Sequence, residues 1–63
     1  MITPKIAEQI NAQLNRELFS SYFYLGLSAA AETAGFKGTA AWFFAKHEEA
    51  NAHAMKFYRY LLD

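Results

Sequence analysis

Apolar residues recur at helical spacing through most of the chain, and their pattern predicts two long helices with one break. In the first segment, Ile6, Ile10, Leu14, Glu17, Ser21, Tyr24 and Ser28 share one face at 3–4 spacing. That seam starts apolar and turns polar midway, although burying an unpartnered carboxylate is costly. Leu18, Tyr22, Leu25 and Ala29 form a second stripe, and Phe19, Phe23 and Leu27 a third on another side. In the second segment the inner stripe is Phe43, Ala50, Ala54, Phe57 and Leu61.

The boundaries follow from local chemistry. Thr3-Pro4 supplies an N-cap and a first-turn proline whose missing N–H costs nothing. The run Ala34-Gly35-Phe36-Lys37-Gly38-Thr39 reads as stop, turn and restart, with Gly35 as a left-handed cap and Thr39 capping the second helix. The expectation is a helix over about 4–34, a turn over 35–39 and a helix over about 40–62. A connection this short makes the helices antiparallel neighbours, so residues 1–63 form an all-α, antiparallel αα-hairpin.

Composition adds a constraint. The chain is 63 residues long, 54% hydrophobic and without cysteine, so no disulfide or thiolate zinc cluster can staple it. Six Phe, four Tyr and one Trp need more cover than two helices provide, which implies association with further chains. Acidic and basic residues balance at six each and are interspersed, which argues against nucleic acid or anionic lipid as partners. The uncharged run from Leu18 to Ala31 would reach roughly 21 Å, short of a ~30 Å hydrocarbon core. MITPKIAEQ lacks a signal-peptide layout, so a cytoplasmic protein with no membrane partner is expected.

One pair of residues invites chemistry. With the hinge near residue 36, Glu17 and His53 lie at nearly equal distances from it, and so at one height. His53 sits about 70° from the centre of the inner stripe and Glu49 about 110°, on the same flank. Carboxylate with imidazole suits iron, manganese or zinc better than magnesium or calcium. Taken singly, Glu17 has Arg16 and Lys46 as ordinary partners, and a lone flank histidine is more often not a ligand. His47 and Glu48 are expected in solvent.

These residues resemble a known family, the non-haem ferritins of bacteria and archaea. LNRELFSSYFYL resembles the first bundle helix, and GFKGTAAWFFAKHEEANAHAMKFYRYLLD resembles the first turn and second helix. The resemblance implies that Glu17 matches a terminal carboxylate ligand of the first iron and His53 its imidazole ligand. It implies that Tyr24 matches the site tyrosine, which hydrogen-bonds a ligand and can donate an electron. Ala50 stands where the family has the glutamate that bridges two irons; Glu49 beside it is at most a substitute carboxylate. The resemblance covers the whole chain but only the first part of a ferritin. It therefore implies a four-helix bundle completed by other chains, either copies of this one or a chain carrying the remaining helices. Two readings stay open at this stage: iron binding and storage with Fe(II) oxidation, or an assembly module that kept the packing and lost the chemistry.

Overall fold

A computed structural model describes residues 2–62. Helix α1 spans Pro4–Thr33 and helix α2 spans Lys37–Leu62, and together they form a rod of 48 × 13 × 10 Å. Ser28 meets Ala40, Tyr24 meets Phe43, Ser21 meets His47 and Glu17 meets His53. Partners recede from the turn together along both helices, so the hairpin is antiparallel.

The start of α1 is as expected. Thr3 is extended, with φ −75° and ψ 158°, and its hydroxyl accepts the Ile6 N–H at 3.2 Å. Pro4 occupies the first helical position. Replacing Thr3 with alanine leaves that N–H without its side-chain acceptor and should cost about 1 kcal/mol. A thermal melt of Thr3→Ala checks this, and an unchanged midpoint would show the cap to be idle.

At its other end α1 closes with a Schellman turn. The Phe36 N–H donates to the Ala31 carbonyl at 2.9 Å, and the Gly35 N–H to Glu32 at 3.1 Å. Gly35 takes φ 87°, a left-handed value that a Cβ would strain. This turn reverses the chain more tightly than the sequence suggests. The Ala40 N–H already donates to the Phe36 carbonyl at 2.9 Å, so α2 begins at Lys37. Gly38 and Thr39 therefore lie inside the first helical turn, and Thr39 is not the cap. The backbone geometry that Gly35 imposes outweighs the local capping preference of threonine.

Small residues line the contact between the helices. The buried positions are Ser21 and Ser28 on α1 and Ala40, Ala50 and Ala54 on α2; Ala54 is 0% exposed. Glu17 and Tyr24 on α1, and Phe43, Phe57 and Leu61 on α2, are half-buried along the same seam. Only Ile6, near the open end of the rod, lies further out than its stripe suggests, at 45% exposure. The Ser28 hydroxyl donates to the Ala40 carbonyl at 2.8 Å, which satisfies a buried polar group and holds the helices close beside the turn.

Nothing large is fully buried among the described residues. Phe19, Tyr22, Phe23, Trp42 and Tyr60 all stand more than half exposed. A soluble monomer rarely leaves so much contiguous apolar surface bare, and such surface marks sites of association. Among the described residues, no helix is long and apolar enough to cross a membrane.

Candidate metal centre

Glu17 and His53 do meet. The His53 Nδ1 lies 3.5 Å from the Glu17 Oε2, an ion pair only when the imidazole is protonated. Helix α1 presents Glu17 at the edge of the seam, where its side chain keeps 27% of its accessibility; His53 keeps 56%. Both therefore face an open side of the hairpin, with their donor atoms turned toward each other. Equal rise from the turn, together with the flank on which each residue falls, brings about the meeting.

Tyr24 lies two helical turns from Glu17 toward the turn of the hairpin. Its ring packs between Phe23 and Phe43, with centroids at 6.0 and 6.2 Å. Among the described residues, no hydrogen bond joins its hydroxyl to Glu17 or His53. Glu49 turns toward Lys46, whose Nζ lies 3.5 Å from its Oε2 and 5.2 Å from the centroid of the Trp42 ring. No group of three or more His, Cys, Asp or Glu side chains gathers where it could hold a metal ion, among the described residues. Ala50 sits in the seam at 6% exposure and adds only a methyl group there. The donor set fits a metal in type, but this chain by itself offers two donors.

His47 corrects the sequence reading, which put it in solvent. It is half-buried, and its ring lies against Phe44 at 5.3 Å. Its Nδ1 lies 2.9 Å from the Ser21 carbonyl and 2.8 Å from the Ser21 hydroxyl, while that hydroxyl lies 3.4 Å from the His47 carbonyl. One tautomer satisfies every contact: Nδ1–H donates to the Ser21 carbonyl and hydroxyl, and the hydroxyl donates to the His47 carbonyl. The result is a polar clasp between the helices, between one and two turns nearer the hinge than Glu17 and His53. A comparison of heights about residue 36 sets Ser21 opposite Asn51, about one turn beyond His47, so rise alone does not find this contact. Glu48 is exposed, as expected.

A family model for the ferritin-like domain matches residues 7–63 of this chain. The chain belongs to the ferritin-like family. Proteins similar to this ferritin-like hairpin include a bacterial non-heme ferritin from Escherichia coli O6:H1, 35% identical, and one from Staphylococcus aureus strain USA300, 29% identical. Each aligns with all 63 residues of this chain, which span only 38% of the relative's length. No solved structure matches the chain significantly. Membership in the family accounts for the hairpin and for the large faces it leaves uncovered, since a bundle of this kind is built from more than two helices.

Proposed function

We propose that this hairpin binds iron in the manner of the ferritins, as one part of a cytoplasmic helical bundle that other chains complete. The single observation that carries the reading is the contact of Glu17 with His53 across the two helices, at 3.5 Å, in a chain of this family. Fe(II) is the substrate. Glu17 and His53 are its ligands on this chain, Glu49 is a further carboxylate once Lys46 releases it, and Tyr24 is the neighbouring redox-active side chain. Open coordination positions let dioxygen reach the ion and take up the electron. Ala50 removes the carboxylate that would couple two irons, so oxidation is slow. The oxidised product is stored as mineral where the assembly encloses a cavity.

Mixing the apo-protein with Fe(II) in air and following ferric absorbance tests this. The expected result is saturable oxidation above the buffer rate, lowered roughly ten-fold or more by Glu17→Ala or His53→Ala. Oxidation no faster than buffer would sink the reading. It would favour the second one, a non-catalytic assembly module, which Ala50 and the missing third ligand support.

A further inference from the structure

Tryptophan and tyrosine give up an electron to a one-electron oxidant far more readily than phenylalanine or aliphatic side chains do. The chain has one tryptophan and four tyrosines. Trp42 and Tyr24 are joined through a single ring. Phe43 meets Trp42 edge-on, with centroids 5.4 Å apart, and stacks on Tyr24 at 6.2 Å with 28° between the planes. Both separations fall in the ~4.5–7 Å range of aromatic contact. Among the described residues, no such ring contact reaches Tyr22, Tyr58 or Tyr60.

The two ends of this contact differ in setting. Trp42 is 56% exposed, whereas Tyr24 is half-buried along the seam. Lys46 holds its Nζ 5.2 Å from the centroid of the Trp42 ring. A cation at that distance opposes positive charge on the indole, so oxidation of Trp42 goes with loss of its N–H proton to water. The neutral tryptophanyl radical that results is a stronger oxidant at neutral pH than a tyrosyl radical. An electron vacancy made at Trp42 therefore moves inward.

We propose that Trp42, Phe43 and Tyr24 form a one-electron relay, which carries oxidising equivalents from the exposed indole to the half-buried phenol. A small inorganic radical takes one electron from Trp42, and the indole proton goes to water. Tyr24 then returns an electron to Trp42 across Phe43; Trp42 regains a proton from water, and the Tyr24 hydroxyl gives one up. Phe43 is not itself oxidised; its ring fills the gap and couples the two ends. The net change is reduction of the radical by one electron, with Tyr24 left as a neutral phenoxyl radical and one proton released. All three rings belong to this chain, so a covering chain alters the access of oxidant and not the relay. A last step rests on the reading of Glu17 and His53 as iron ligands: the Tyr24 radical takes an electron from Fe(II) and a proton from water, leaving Fe(III). Iron would then be oxidised by a species that never touches it.

Pulse radiolysis of the metal-free chain tests the relay. Azide radicals are the probe, since at neutral pH they attack indole much faster than un-ionised phenol. The parent carries Tyr22→Phe, Tyr58→Phe and Tyr60→Phe, so that Tyr24 is its one tyrosine. The expected result is a tryptophanyl band that decays as the tyrosyl band grows, at one first-order rate independent of protein concentration. Tyr24→Phe should abolish the growth and leave the tryptophanyl radical long-lived. Phe43→Leu, which opens a gap between the end rings, should slow the transfer; circular dichroism checks that each variant is helical. A tryptophanyl radical that persists in the parent, or a transfer rate that rises with protein concentration, would overturn the relay whatever the variants do. A rate unchanged in helical Phe43→Leu would overturn the route through that ring. With Fe(II) added under anaerobic conditions, the tyrosyl band should be short-lived. Transfer to Tyr24 without that quenching would sink the iron step and leave the relay standing, whereas saturable iron oxidation in air without transfer would do the reverse.

Discussion

Leucine in place of Ala54 should destabilise the hairpin by about 2–3 kcal/mol and lower its melting temperature by roughly 10–20 °C. Ala54 is the most deeply buried residue described, and its methyl group faces α1 across a seam lined by serine and alanine. A leucine there cannot turn to solvent from the centre of the contact, so the helices must separate locally. The clasp between Ser21 and His47 depends on the present spacing and would loosen with it. Ala52→Leu, at an exposed position two residues away, changes helix propensity and volume identically and should stay within about 0.5 kcal/mol of wild type. Thermal melts of the two variants make the comparison. Equal stability of Ala54→Leu and Ala52→Leu would mean that the seam does not set the helix spacing.

The same seam shows what could be read from sequence. Residue period and rise are geometric constraints, so the faces of both helices and the meeting of Glu17 with His53 were legible. Gly35 was legible because few other residues tolerate its backbone conformation. The start of α2 was not. Thr39 carries a strong capping preference, but three backbone hydrogen bonds around Gly35 and Phe36 set the restart earlier, and such bonds leave no trace in side-chain identity. His47 was missed for a related reason. It lies off the apolar stripe, and an isolated histidine defaults to solvent until a partner such as Ser21 is placed opposite it. Glu49 illustrates the limit of a flank argument: angle alone put it near His53, whereas charge directs it to Lys46. Composition foretold that the aromatic residues would outrun the cover available, and the exposed Phe19, Phe23, Trp42 and Tyr60 bear that out.

Ala50→Glu should raise the rate of Fe(II) oxidation by at least about ten-fold while making the metal-free hairpin less stable by about 2 kcal/mol or more. Position 50 lies one turn before His53 and about 60° from it around α2, so a glutamate side chain can reach the open flank where Glu17 and His53 meet. Without metal, the new side chain starts from a position that is 6% exposed in the wild type, and its carboxylate lies partly desolvated beside the like charge of Glu17. Both effects oppose folding, one through desolvation and one through repulsion. Bound iron reverses the sign of each, because a cation screens the two carboxylates from one another and replaces the lost hydration with coordination. The variant should therefore melt below wild type in chelator and recover most of the difference in Fe(II) under nitrogen. Its metal content should exceed that of the wild type, since a bridging carboxylate is what a second ion lacks in the wild-type chain. Stopped-flow oxidation and metal-dependent melts read these outcomes together. A folded, metal-loaded Ala50→Glu protein that oxidises iron no faster than wild type would show that the missing carboxylate is not what limits the chemistry.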